Sequence, residues 1–432
     1  MLVNLLSSAL VWGIFLVCGF QILSRSGLFP NLTSKYTFLV PKKTSFPACQ
    51  PTKIDFLKVF LFAGTFRILI LMFSYLMLYL FHAEQDGYGL GNVIGEWQKW
   101  DANNYIRIAT KGYMGYQTDG MYSTLVFFPL YAWMIRFFLL FVPNESIAAL
   151  FASFFGFIGG CIYLFGFVSL EYGKSIAWKT VLLISIFPFS FFLGSMMPES
   201  TFLFMGAACF YYIKKHNWPL AAFFGFLATL SRMQGMLLIL PAVIEWLTYY
   251  KPLLLLKERK IKDFARLFTT KLLWMILMAF GPLIYLWENY RITGNPFQFL
   301  EYQEKIWSQH AQYFGKTMQM IWNMFLATSD YKRIAIWLPE LLLFFAICLV
   351  LIYGLRKHKP QYTSFLLLYL IMNYMASWLL SAGRYMTVAI PFYFILAEFL
   401  DKKPKLWTGV VVLFSMLFTC YMWAFLCWRQ VF

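Results

Sequence analysis

Long apolar runs separated by short polar and basic stretches organise this chain. Segments 1–22, 56–82, 147–170, 272–287, 335–353, 363–380 and 406–428 are almost continuous in hydrophobic residues. A membrane-spanning helix needs about 20 mainly apolar residues, so these segments qualify or come close. Shorter apolar runs at 219–231 and 235–249 meet at Arg232 and read as two short helices. Residues 127–142, FFPLYAWMIRFFLLFV, are nearly apolar enough to span, whereas 97–111 is amphipathic, short and polar. The pattern predicts an all-α polytopic membrane protein with no soluble domain large enough to stand alone.

Composition strengthens that reading. The 432 residues are 61% hydrophobic and only 13% charged, against roughly 25% charged in soluble domains. Lipid must therefore be part of the solvent. The formal net charge of +17 would suggest nucleic acid in a soluble protein, but no nucleic-acid-binding module is visible. The cations instead gather in loops: Arg25, Lys35, Lys42, Lys43 and Lys53; Lys174 and Lys179; Lys214 and Lys215; the stretch 251–271; Arg356, Lys357 and Lys359; and Lys402, Lys403 and Lys405. Basic loops face the cytoplasm. Placing all of these there leaves 83–126, 194–200, the turn at Arg232, 288–334 and 381–385 on the other face. That solution gives about twelve helices with both termini outside. It also requires 127–142 to lie along the outer interface, with 97–111 as a second interfacial helix in the same loop.

Residues 1–22 lack a basic n-region and an A-x-A cleavage site, so they read as an uncleaved first helix. Residues 1–54 form an extra N-terminal helix and basic cytoplasmic linker ahead of the main transmembrane domain, 55–432. The seven Cys form no CxxC pair and read as small core residues, with no disulfide framework or zinc site. The sequons at Asn31 and Asn144 are short patterns, and Asn31 falls on the expected cytoplasmic side.

The candidate chemistry gathers in the outer loops. Asp101 follows Trp100 at the start of the amphipathic stretch. It reads as a helix N-cap, or as a carboxylate at the water–membrane boundary that deprotonates an acceptor hydroxyl. Arg232 and Arg384 each lie between two apolar segments, where a charge is expensive. Either they snorkel to the interface, or their planar forks recognise a phosphate. Lys332 and Arg333 are alternative cations, while Arg107 and Lys111 read as surface residues. Glu199, after Met197-Pro198, either caps a helix or orients acceptor hydroxyls in support of Asp101. Gln303, Trp307, Gln309 and His310 supply amides and aromatic rings suited to sugars. Arg67 sits inside the 56–82 segment with apolar neighbours one turn away. No DxD pair is present, Asp86 and Asp119 being isolated, so no cofactor or obligatory metal is expected.

The stretch WDANNYIRIATKGY followed by FFPLY resembles the signature of the PIG-V-type mannosyltransferases, a family that includes the second mannosyltransferase of GPI-anchor synthesis and bacterial relatives. Trp100, Asp101, Tyr105, Ile108, Ala109, Gly112, Tyr113, Phe128, Pro129 and Tyr131 carry the match. MPESTFLF (197–204), LSRMQGMLLILPA (230–242), GNPFQFLEYQEKIW (294–307) and SAGRYMTVAIPFYF (381–394) are similar to later segments of the family, in the same order. The resemblance runs from about residue 56 to 425; the first helix and linker lie outside it. It implies a GT-C-like bundle and a polyprenyl-phosphate sugar donor, with mannose the expected sugar. It also implies transfer to a lipid-linked or cell-surface glycan acceptor on the non-cytoplasmic face. Asp101 becomes the expected catalytic base, Arg232 and Arg384 the donor-phosphate ligands, and Trp100, Glu199, Gln303, Trp307 and Tyr385 substrate contacts. The wording of the motifs favours a bacterial cell membrane, with the ER membrane the location in a eukaryote. Some family members need a partner subunit, and a non-catalytic subunit of a membrane complex is a third reading of this chain. The competing function is a lipid or solute transporter or flippase. Transporters often carry inverted repeats, and no repeat is visible here.

Overall fold

The computed structural model describes residues 1–28, 49–82 and 89–431. Lys35, Lys42, Lys43, Asp86 and the Asn31 sequon lie outside the described residues. Six helices are long and apolar enough to cross a membrane: α1 (Leu2–Arg25), α2 (Lys53–Phe81), α3 (Glu145–Tyr172), α4 (Ile261–Thr293), α5 (Arg333–Leu355) and α6 (Pro404–Leu426). Among the described residues only isolated β-bridges occur beside the helices. The protein is an all-α, multi-pass membrane bundle.

Shorter apolar helices run beside the long ones in three pairs. Lys174–Ile186 turns back as Glu199–Lys214. Trp218–Ser231 turns back as Met233–Tyr249. Pro360–Tyr374 turns back as Ile390–Asp401. Six long and six short helices together account for the twelve passes read from the loops, though half are too short to span unaided.

Ion pairs mark one end of the bundle. Lys174 meets Asp55 at 2.7 Å, Lys179 meets Asp401 at 2.7 Å, and Lys359 meets Glu171 at 2.7 Å, with Lys214 on the same Glu171. Here the long helices α2 and α3 have their basic-side ends and the short pairs have their open ends. The three turns of the short pairs all lie toward the other end. At about 1.5 Å per residue, the 28-residue α3 is about 42 Å long. The short members, of 12 to 17 residues, reach only about 18–26 Å. Their turns therefore stop inside the roughly 30 Å hydrocarbon depth, at the floor of a depression that the long helices and outer loops wall in. Non-helical backbone at that depth is tolerated where it is buried in protein or lines a polar cavity.

The first outer loop supplies part of the wall. Ala102–Lys111 buries Ala102, Tyr105, Ile106, Ile108 and Ala109 on one face, and Gly112 ends it at φ 72°, a conformation a side chain would strain. Pro129–Leu139 has only 11 residues, too few to cross, as the loop assignment required. Proline at its first position fits there without losing a helical hydrogen bond.

Candidate active site

The three turns and the first outer loop converge on one cavity of about 400 Å³. Trp100, Asp101, Arg232, Gln303, Trp307, Arg384 and Tyr385 line it, together with Gln309, Trp378 and Gln430. Glu199 lies beneath, fully buried. Asp101, Glu199, Arg232 and Arg384, from four separate parts of the chain, are thus joined in one hydrogen-bonded cluster.

Local structure explains each placement. Trp100 adopts a left-handed φ of 54°, uncommon for a bulky residue, and turns the chain so that Asp101 heads the 102–111 helix. Asp101 occupies the N-cap position, yet its side chain makes no capping hydrogen bond. Oδ2 instead accepts from Arg384 Nη1 at 2.6 Å. Glu199 opens its helix after Pro198 but is likewise turned inward. Its Oε1 accepts from Arg384 Nε at 2.6 Å and from Arg232 Nη1 at 2.9 Å. Its Oε2 is buried without a hydrogen-bond partner among the described residues. Both carboxylates therefore serve the cluster rather than their helix ends. Glu340 Oε1 accepts from the backbone N–H of Ala382 at 2.9 Å, which anchors the short turn Ala382–Met386 that carries Arg384.

The electrostatics are tightly balanced. Two guanidiniums and two carboxylates sum to zero. Arg384 bridges Asp101 and Glu199, at 2.6 Å to each. The Tyr385 ring lies 4.9 Å from the Arg232 guanidinium carbon, a cation–π contact. Arg384 Nη2 and the Nε and Nη2 of Arg232 make no hydrogen bond with any described residue. The cavity thus presents unfilled planar donors beside a carboxylate that is partly open to it, Asp101 being 29% exposed.

The roof comes from 298–313. Gln303 donates to Gln309 at 2.7 Å, and Gln309 donates to the carbonyl of Trp378 at 2.7 Å. Backbone pairing between His310 and Ser377, at 2.7 Å, fastens this segment over the Arg384 turn. His310 is exposed and does not line the cavity. Lys332 and Arg333 also lie elsewhere, Arg333 being 4.8 Å over the Phe325 ring. Arg107 packs 3.8 Å over Tyr116. Arg67 donates to the Ser190 carbonyl at 3.0 Å and sits 3.9 Å over Phe157, which supplies the partners its own helix lacks. Among the described residues no group of three or more His, Cys, Asp or Glu side chains is gathered as a metal site would require.

Sequence reasoning missed Lys99 and Gln430. The Lys99 ammonium is buried and donates to the Phe425 and Leu426 carbonyls at 2.9 and 2.5 Å. It also pairs with Glu96 at 2.7 Å. Lys99 thereby ties the end of α6 to the first outer loop, where Trp428 lies 6.0 Å from Trp100 and Gln430 enters the cavity wall. A lysine between two tryptophans gives no sign that it caps a helix more than 300 residues away.

No family model matches the chain, and no curated protein matches it. Among solved structures it is similar to ArnT from Cupriavidus metallidurans bound to undecaprenyl phosphate, with a TM-score of 0.48 and 15% identity, over 76% of this chain and 60% of that one. The apo state of the same protein gives a TM-score of 0.43 and 13% identity, over 77% and 59%. The chain spans about 60% of the length of these structures. Likeness of this strength assigns neither substrate nor residue roles.

Proposed function

We propose that this chain is a GT-C-like membrane glycosyltransferase. It transfers a sugar, mannose by the motif resemblance, from a polyprenyl-phosphate donor to a lipid-linked or cell-surface glycan acceptor on the non-cytoplasmic face. The observation that carries the reading is the cluster itself: Asp101 sharing Arg384 with buried Glu199, which also holds Arg232. A buried ion-pair network is weak evidence for stability alone. Unfilled guanidinium donors on a polar cavity are a reason to keep one.

In the reaction, the donor phosphate binds the free N–H groups of Arg232 and Arg384. The acceptor hydroxyl oxygen attacks the anomeric carbon from the face opposite the phosphate, and Asp101 takes its proton. The bond between that carbon and the phosphate oxygen breaks, and the electron pair leaves with the polyprenyl phosphate. The anomeric configuration inverts. The departing phosphate gains negative charge, which the preorganised guanidiniums stabilise. Gln303, Trp307 and Tyr385 contact the sugar and acceptor, and Trp100 orients Asp101. The basic end of the bundle faces the cytoplasm, which puts the cavity on the opposite face, where a lipid-borne donor is available and a sugar nucleotide is not. The reading assigns no metal.

The test is transfer of label from polyprenyl-phosphate-mannose into lipid extract by membranes holding the chain, beside Asp101→Asn. Loss of a general base lowers turnover by a factor on the order of 10² or more. Near-normal turnover in the variant removes Asp101 from the mechanism; no transfer by the unaltered chain with any polyprenyl-phosphate sugar removes the reaction.

A further inference from the structure

A second cavity of about 340 Å³ lies on the other side of the 125–129 segment from the first. Tyr113 and Tyr285 form the partition. Tyr113 donates its hydroxyl to the Phe127 carbonyl at 2.7 Å, Tyr285 donates to the Leu125 carbonyl, and the Tyr285 ring stacks on Phe128 at 4.2 Å. Phe127 faces the first cavity and the two tyrosines line the second. The two spaces are separate but share a wall.

Three cations from three elements line this second cavity: Lys111 from the end of the 102–111 helix, Arg136 from the 129–139 helix and Arg291 from the outer end of α4. One carboxylate, Glu288, accompanies them and is engaged by Arg291 at 2.6 and 3.0 Å. Three positive charges against one negative leave a net surplus of two. Lys111 makes no ion pair or hydrogen bond with any described residue. Arg136 is not a side chain stretching to water: Nε and Nη2 donate to the Ala109 and Ile108 carbonyls at 2.9 and 3.2 Å. That fixes the guanidinium at the end of the 102–111 helix and leaves Nη1 free.

The rim is of the opposite character. Trp133, Met114 and Ile284 line the same cavity and are 43%, 58% and 40% exposed. Exposed aromatic and apolar side chains on an interfacial helix mark the level where headgroups meet acyl chains. A soluble anion has no use for that rim, and an uncharged lipid has none for the cations. A phosphate attached to acyl chains satisfies both.

We propose that this second cavity binds the phosphodiester headgroup of an anionic membrane lipid, with Lys111, Arg136 and Arg291 around the phosphate and the acyl chains passing over Trp133 and Ile284. The site is independent of the reaction assigned to the first cavity.

The test uses the full chain, purified in a neutral detergent, with binding of phosphatidylglycerol, phosphatidylcholine of the same chain length, and inorganic phosphate followed by native mass spectrometry. Phosphatidylglycerol is expected to bind saturably, at least fivefold more tightly than phosphatidylcholine. Lys111→Gln combined with Arg291→Gln should abolish that preference. Both side chains are exposed, so the fold should tolerate the change. The charge-keeping pair Lys111→Arg and Arg291→Lys should retain most of the preference. Equal binding of both lipids, or phosphatidylglycerol binding unaltered in the double glutamine variant, overturns the site. Inorganic phosphate competing as effectively as the lipid overturns its assignment to a headgroup.

Discussion

Replacing Glu199 with Gln should damage this protein more than replacing the proposed base beside it. Glu199 is fully buried, and its Oε1 receives hydrogen bonds from both Arg384 and Arg232. Glutamine keeps an acceptor of similar shape but removes the charge, so two guanidiniums that were neutralised by two carboxylates are left with one. Breaking a buried pair by removing one partner costs about 3–5 kcal/mol. Asp101, at 29% exposure, is partly screened, and Asn there should cost about 1 kcal/mol or less. For a chain longer than 250 residues each kcal/mol shifts Tm by about 2 °C or less, so Glu199→Gln should melt roughly 5–10 °C low and Asp101→Asn within about 2 °C. Adding Arg232→Gln to Glu199→Gln restores the charge balance. The double variant should therefore recover part of the loss, with a coupling of about 1–3 kcal/mol. Thermal unfolding of the parent, Glu199→Gln, Arg232→Gln and the double variant in one detergent, read by intrinsic fluorescence, closes the cycle. Additive effects, or a Glu199→Gln protein as stable as the parent, would refute the claim that the bridging carboxylate neutralises the cluster.

Two further outcomes follow from the same geometry. Arg384→Lys keeps the charge but cannot span Asp101 and Glu199 with a planar fork; it should raise the KM for the polyprenyl-phosphate donor by about tenfold, and unchanged donor dependence in the transfer assay would remove that role. Lys99→Met should release the Phe425 and Leu426 carbonyls while keeping stem volume, and should expose Trp428 and Gln430 to faster hydrogen exchange than the parent. Unaltered exchange at 425–431 would show that the lysine does not hold the wall.

Much of the fold was legible because membrane burial writes itself into sequence as runs of apolar residues, and the basic loops then fix which ends belong together. The two ends of the bundle, the short helices meeting at Arg232 and the short 129–139 helix all follow from those two signals. The candidate site was legible for a related reason: Asp101, Glu199, Arg232 and Arg384 are charged residues beside apolar runs, and such residues are rare enough to stand out. Each, however, carried a local explanation that sequence could not dismiss. Only the structure shows that Asp101 and Glu199 leave their helix ends uncapped and turn toward the same arginine, Arg384, 283 and 185 positions away. The depth of the site was legible only in part. It depends on the short helices stopping partway: the two that meet at Arg232 were read with nearly their true ends, whereas 363–380 was read from hydropathy that runs past the helix end at Tyr374. Lys99 and Gln430 were illegible because their partners lie at the opposite end of the chain and neither residue type is unusual in its own neighbourhood.

The charge balance also says why four ionisable groups should be kept at such a depth. A zero-sum cluster can be buried at tolerable cost, whereas two unpaired guanidiniums in the same place could not. The balance is nonetheless asymmetric. Glu199 is sealed in and holds both arginines from below; Asp101 reaches only Arg384, through one oxygen, and sits at the cavity edge. An incoming phosphodiester would bring one negative charge to the free faces of those arginines and weaken the hold on the exposed carboxylate before the buried one. In the proposed reaction that ordering has a purpose. The carboxylate loosened by the donor is the one that must accept the acceptor's proton, and the one left in place keeps the arginines aimed at the phosphate as its charge grows. Interactions that strengthen as charge develops are those that raise a rate.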